Sequence, residues 1–315
     1  MKALVTGSEG FVGRHLTTEL NANGYRVHGM DITCGEKLCR DGRPYVDAFS
    51  CIDLLEKPAL LEHVQDIKPK IIFHLAAQSN VVTSWKKPQQ TYGVNVLGTL
   101  NLLDAVNQLE NPCRIVLVGS ADQYGVAGLS EKPISEDVAQ NPKNPYAASK
   151  KAQEEIAEVY ANAYSMDIVY MRPFNHSGPG QGLGFLIPDV CHGIVQVEKG
   201  ESEYLKVGNL EAVRDFSDVR DVVRSYRLVG EKGYGGEVYN VGSGVGRKAQ
   251  EILDMLLEMS ECEILVRQDE SRMRKSDTPI LVCDNTKLKN HTGWDAEVSI
   301  EKTLRDTLEY YRKNI

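Results

Sequence analysis

The sequence predicts an α/β fold, a doubly wound parallel sheet with a smaller C-terminal α/β lobe. Three observations carry that expectation. Short β-branched runs alternate with amphipathic helical stretches through the first 173 residues, the pattern of parallel strands joined by crossover helices. The first strand-to-helix turn is rich in glycine, and after Phe174 the chain changes to shorter elements, more glycine and clustered charge. A chain of 315 residues accommodates one large α/β domain or two.

The elements follow in order. "KALVTG" opens the chain as a strand, Phe11 to Asn23 reads as a helix, and Gly24 stops it. "YRVHGMDI" is the second strand. "KIIFHLAA" and "CRIVLVGS" are short β-rich runs separated by the helical stretch "QQTYGVNVLGTLNLLDAVNQL". A long helix is expected from Pro145 to Tyr164, then the strand "DIVYMRP". The helix from Asp218 and the strand "EVYNVGS" are expected to return to the first domain. That domain therefore takes 1–172 plus about 215–245, and 173–315 is mainly a second lobe. A last helix, Ser299 to Arg312, should pack on the smaller lobe.

Composition excludes several functions. Hydrophobic residues at 42% and charged residues at 25% are those of a globular protein. A net charge of -8 argues against a nucleic-acid or anionic-membrane surface. No run reaches the roughly 18 apolar residues that span a bilayer, and the N-terminus reads as a strand, not a signal peptide. Seven cysteines without CxxC pairs point to plain thiols in a reducing cytoplasm. Cys34 and Cys39 lack the partners of a metal set, so no metal is expected.

"GSEGFVG" places Gly7, Gly10 and Gly13 around Phe11 and Val12, between the first strand and the first helix. Glycine there allows a tight turn and a close approach of backbone to a pyrophosphate at the helix N-terminus. Asp31 ends the next strand, where a carboxylate accepts from the adenosine ribose hydroxyls and repels a 2′-phosphate. NADH is therefore favoured over NADPH; Lys37 and Arg40 lie too far along to reverse this. Asp53 and Leu54 in "CIDLLE" are placed for the adenine. Leu75, Ala76 and Ala77 in "HLAAQS" let the cofactor lie close to the backbone.

Tyr146 and Lys150 stand at i and i+4, on one face of a helix. An ammonium beside a phenol favours the phenolate, and Lys150 is also expected to hold the nicotinamide ribose. Ser120 ends a parallel strand at its carboxyl end, where open α/β sheets build their sites, and Asp122 follows in "GSADQYG". The loop "RPFNHSGPGQ" (172–181) has neither helical nor strand periodicity. A positioning role is expected for its His176.

Together, Gly7/Gly10/Gly13, Asp53, the Ser120–Tyr124–Gly125 segment and Tyr146/Lys150 resemble the extended short-chain dehydrogenases/reductases, from residue 1 to about 310. The resemblance implies a Rossmann domain, a C-terminal substrate lobe and a homodimer formed through a four-helix bundle. It also implies an acid–base role for Tyr146, hydrogen bonding to the substrate oxygen by Ser120, and cofactor orientation by Lys150.

Within that family, "RPFNHSGPGQ", "KVGNLEAVRDFSDVRDVV", "GEVYNVGSG" and "RMRKSDTPILVCDNTKLKNHTGW" are similar to reductases that convert GDP-4-keto-6-deoxy-D-mannose to GDP-D-rhamnose. This implies a GDP-linked sugar nucleotide held by Asn175, Arg214, Arg274 and Asp277. Arginine is suited to a diphosphate. "RKSD" departs twice from the "RPxE" pattern found at this place in the family. The near relatives that dehydrate GDP-mannose ordinarily carry Thr at the Ser120 position and Glu after it. They also lack the Gly-Pro-Gly-Gln run. Asp122 is compatible with either reaction, and the balance of motifs implies reduction.

Overall fold

Ile71–His74 are buried at all four positions and Ile168–Pro173 at all six, the mark of strands covered on both faces. They lie inside a seven-stranded sheet in the computed structural model, which describes residues 1–33, 46–125, 133–269 and 279–315, with the backbone alone of 39–40 and 43–44. The elements of the first half are β1 (Lys2–Thr6), α1 (Phe11–Ala22), β2 (Arg26–Asp31), a small hairpin of β3 (Cys39–Arg40) and β4 (Arg43–Pro44), β5 (Ala48–Cys51), α2 (Lys57–Ile67) and β6 (Ile71–His74). Then come α3 (Val81–Lys86), α4 (Pro88–Tyr92), α5 (Gly98–Asn107), β7 (Arg114–Val118), α6 (Pro145–Tyr164) and β8 (Ile168–Pro173). The second half comprises β9 (Asn175–Ser177), α7 (Leu186–Glu198), β10 (Leu205–Val207), β11 (Val213–Asp218), α8 (Val219–Lys232), β12 (Val238–Val241), β13 (Gly246–Lys248), α9 (Ala249–Glu258), β14 (Val266–Gln268), β15 (Ile280–Leu281), α10 (Thr286–Thr292) and α11 (Ile300–Asn314).

The sheet order is β12-β8-β7-β6-β1-β2-β5, every pair parallel. This is the predicted doubly wound sheet. One face buries Leu16, Leu20, Val222, Tyr226 and Val229 from α1 and α8, and the other buries Leu60, Val64, Leu102, Leu103 and Ala157 from α2, α5 and α6. The second half adds its own core, in which α7, α9 and α11 meet through Ile194, Leu253, Leu304 and Leu308. A short mixed sheet joins it to the first half: β9 and β15 pair parallel to β11, and β13 antiparallel.

Two local features were not anticipated. The helical stretch after Pro88 contains a π-turn, Gly93–Leu97, between α4 and α5, and its Asn95 side chain is buried. Cys51 is disulfide-bonded, a correction to the expectation of thiols throughout; its partner lies outside the described residues, as do the side chains of Cys34 and Cys39. Cys113, Cys191, Cys262 and Cys283 are free.

Candidate active site

The carboxyl ends of β2, β1, β6 and β7 lie side by side in the sheet, so the loops that follow them share one crevice. Gly7 has φ +71, and a Cβ there would sit 2.8 Å from the Ala76 nitrogen. The phosphate loop and the Leu75–Ala76–Ala77 segment after β6 therefore touch. Gly10 caps α1 without any side-chain hydrogen bond, which leaves first-turn N–H groups for an anion. Phe11 and Val12 pack on the core beneath. Asp31 ends β2; its carboxylate accepts from the backbone N–H of Glu9 at 3.0 Å and of Ile32 at 2.8 Å, tying the loop to the strand. Asp53 is exposed and accepts from the Leu55 N–H at 2.9 Å, while Leu54 is buried under α5. The residues fit a dinucleotide: a glycine turn closed against a strand end, an uncapped helix start and a carboxylate one strand over. The side chains of Lys37 and Arg40 lie outside the described residues.

Ser120 follows β7 as the cap of a single 3-10 turn, Ala121–Tyr124. Gln123 Oε1 accepts from the Ser120 N–H at 2.7 Å, and Ser120 Oγ accepts from the Asp122 N–H at 3.2 Å, a reciprocal capping arrangement. Pro145 opens α6, and Asn144 accepts from the Ala147 N–H at 2.8 Å. Tyr146 thus sits in a fixed first turn, its phenol hydrogen-bonded to the Ser120 side chain. One turn on, the Lys150 ammonium donates to Val118 O at 2.7 Å and to Gln153 Oε1 at 2.9 Å, and the residue is 3% exposed.

The electrostatics correct one expectation. Burial first, and then the Asp122 carboxylate, push the Tyr146 phenol above its ordinary value; the hydrogen bond from Ser120 opposes them only partly. Lys150 does not lower it: that ammonium is turned toward the Val118 carbonyl and Gln153, and burial brings its own pKa down to about 7. A phenol beside a carboxylate in a dry pocket keeps its proton.

The sequence reading stopped at Lys150 and missed what supports it. Tyr146, Lys150 and Glu154 continue one helical stripe, and Glu154 accepts from Nη2 and Nε of Arg172, at 2.5 and 3.1 Å. Gln123 Nε2 donates to the same carboxylate at 2.9 Å and Arg172 also donates to the Tyr124 hydroxyl at 2.7 Å. The i, i+4, i+8 spacing was the available signal; the Arg172 and Gln123 partners come from distant sequence and left none.

In the loop 172–181, the His176 Nδ1 lies 2.9 Å from Phe174 O, and its ring is parallel to that of Phe11 at 6.3 Å. Burial lowers its pKa. Gln181 donates to His176 O, accepts from the Ser177 hydroxyl at 2.7 Å, and its carbonyl accepts from the Tyr311 hydroxyl of α11 at 2.7 Å. The loop is pinned at both ends, and His176 braces it against the first turn of α1. Asn175 is exposed on β9, and Arg214 on β11 donates to Val213 O at 2.8 Å. Arg274 and Asp277 lie outside the described residues.

The family model for GDP-mannose 4,6 dehydratase matches residues 4–307. The chain belongs to this family. A GDP-6-deoxy-D-mannose reductase of Pseudomonas aeruginosa is 31% identical over 315 residues, covering 100% of this chain and 98% of its own. The solved structure of RMD from Pseudomonas aeruginosa complexed with NADPH superposes with a TM-score of 0.86 at 31% identity, with full coverage of both chains. A Thermus thermophilus UDP-glucose 4-epimerase in complex with NAD superposes at 0.89 with 28% identity, again over both whole chains. The chain thus has the extended short-chain dehydrogenase/reductase fold, which it shares with a reductase solved with NADPH and an epimerase solved with NAD.

Proposed function

We propose that the protein reduces the C4 carbonyl of GDP-4-keto-6-deoxy-D-mannose, giving GDP-D-rhamnose or its C4 epimer. The observation that supports this most is the placement of Tyr146 in the capped first turn of α6, its phenol hydrogen-bonded to the Ser120 side chain. Reduction of a carbonyl needs a proton donor at the oxygen, whereas oxidation of an alcohol needs a base there. The Gly7–Gly13 turn would hold the pyrophosphate of a nicotinamide cofactor, which when bound in its reduced form would supply the hydride for C4. Tyr146 gives its proton to the oxygen as it becomes an alkoxide, and Ser120 hydrogen-bonds that oxygen. Lys150 holds the nicotinamide ribose, and Asp31 favours NADH over NADPH by its charge at the adenosine ribose. Asn175, Arg214, Arg274 and Asp277 hold the GDP moiety in the lobe formed mainly by 173–315. The assembly is a homodimer through α5 and α6.

A second reading rests on Asp122: a carboxyl beside the Tyr/Ser pair is what a 4,6-dehydratase uses to remove the C5 proton. The two are separated by supplying GDP-mannose with NAD, and separately GDP-4-keto-6-deoxymannose with NADH or NADPH. Loss of nicotinamide absorbance only with the keto sugar is the expected result; conversion of GDP-mannose without net cofactor change overturns the reductase. Tyr146→Phe is expected to lower kcat by roughly 100-fold or more with the cofactor still bound.

A further inference from the structure

Behind Lys150 a row of buried polar side chains runs from α6 and α5 to His74 on β6 and Thr6 on β1. Gln153 Nε2 donates to Thr99 Oγ1 at 2.8 Å, and the Thr99 hydroxyl donates to Asn95 O at 2.7 Å. His74 lies between two threonines, Nε2 at 2.9 Å from Thr99 Oγ1 and Nδ1 at 2.8 Å from Thr6 Oγ1. Thr6 Oγ1 in turn accepts from the Ala76 N–H at 3.2 Å. Thr6, His74 and Thr99 are 0% exposed and Gln153 is 1% exposed.

The directions of these bonds are fixed by counting protons. A carbonyl only accepts, so the single Thr99 hydroxyl proton goes to Asn95 O. The His74 contact at Thr99 must then be an Nε2–H donor, which leaves Nδ1 to accept from the Thr6 hydroxyl. Burial and the nearby Lys150 charge bring the His74 pKa down to about 3, so the ring stays neutral. With Nε2 of Gln153 committed to Thr99, its Oε1 is the atom left to face the ammonium. Gln153 cannot flip without setting an NH₂ group against Lys150.

We propose that Gln153 is a positioning residue that keeps the Lys150 ammonium aimed at the cofactor, as the end of a Gln153–Thr99–His74–Thr6 chain whose other end fixes the Ala76 backbone. Two ammonium protons are committed to Val118 O and Gln153, and among the described residues the third has no partner, which suits a ribose hydroxyl. The proposal rests on the reading of Lys150 as the ribose contact. Apart from the carbonyl of Val118 on β7 and the Gln153 side chain, the titratable group whose charge couples to this ammonium is the neutral His74 of β6, and the Tyr146 phenol stands one turn earlier on α6. Beyond the phenol lies Asp122 of the 3-10 turn. Among these side chains Gln153 is the one hydrogen-bonded to Lys150.

NADH affinity measured by fluorescence titration from pH 6 to 10 tests this without any sugar nucleotide. If only charged Lys150 binds the ribose, affinity falls as pH rises through its pKa. Gln153→Leu removes an acceptor, so binding weakens by about tenfold, the scale of one hydrogen bond to a charged group, and its fall moves to lower pH. Gln153→Glu sets a carboxylate against the ammonium, so the fall moves to higher pH and affinity at neutral pH is retained. Opposite displacements are expected; a merely structural glutamine would move both variants alike or neither, and that result overturns the proposal. Failure of the parent protein to bind NADH would instead overturn the cofactor reading itself.

Discussion

Arg172 and Glu154 form an ion pair whose side chains are 6% and 12% exposed, and that pair stands between the catalytic helix and the Ser120 turn. Glu154 belongs to the same helix as Tyr146, while Gln123, which hydrogen-bonds Glu154, also accepts from the Ser120 N–H. One carboxylate therefore sets the spacing between Ser120 and Tyr146. Removing one member of a buried pair strands the other charge, so Glu154→Gln is expected to lower unfolding stability by about 3 kcal/mol, measured by urea titration. Replacing both, as Glu154→Leu with Arg172→Met, removes the stranded charge and is expected to recover most of that loss. Turnover should not recover with it, because Gln123 loses its Glu154 acceptor, keeping Gln140 Oε1 at 3.0 Å, and the Ser120 turn loosens. If activity returns in step with stability, the pair is structural only. Sequence reading singled out Ser120, Tyr146, Lys150 and Asp122 by residue type, and the structure brings Ser120, Asp122 and Tyr146 together. That reading did not find Gln123, Glu154 or Arg172, because partner choice among ordinary polar residues is decided by three-dimensional proximity.

At the scale of elements, the boundaries most easily foreseen are those where a cap and a period agree. The spacing from Pro145 to Tyr164 gives α6 at its observed limits, because Asn144 and Pro145 are start signals before a long amphipathic pattern. The π-turn at Gly93–Leu97 was not visible, since its side-chain pattern is that of an ordinary helix and only the hydrogen bonds shift. The paired strands β9, β11, β13 and β15 were equally obscure: several are two or three residues long, too short for a period to show. The approach of α1 to the phosphate loop is a feature of this kind with a measurable consequence. Gly13 lies inside α1, where alanine alone would favour the helix by about 1 kcal/mol. A Cβ at Gly13, however, would fall 2.1 Å from Gly7 O and 2.7 Å from Ser8 Cα, contacts with backbone that cannot turn away. Gly13→Ala is therefore expected to displace α1 from the loop and weaken NADH binding at least tenfold, although helix propensity points the other way. Unchanged affinity in a fluorescence titration would show that the turn tolerates the shift.

Among the described residues, the stretch from α4 to α6 exposes large apolar side chains that the chain's own fold leaves uncovered. Tyr92 and Leu97, at the π-turn between α4 and α5, are 41% and 50% exposed, and Val159 on α6 is 64% exposed. α5 and α6 pack against each other, so these side chains extend from neighbouring helices. Charged residues also reach solvent nearby, for example Glu155 and Glu158 on α6, and interfaces carry such polar groups at their rims. Pairing such helix pairs across a two-fold axis buries the same residues of both copies at once. In the proposed homodimer, Val159 lies in that contact, and a charge there would be desolvated without a partner. Val159→Lys is accordingly expected to shift the sedimentation coefficient from that of a 70-kDa-class particle, about twice the chain mass of 35.0 kDa, to that of the monomer at micromolar concentration. The substitution touches neither the phosphate loop nor the Ser120–Tyr146–Lys150 group, so NADH affinity should stay within about twofold of the parent. A parent protein that sediments as a monomer would remove the bundle from the account, leaving the cofactor and catalytic readings standing on their own geometry.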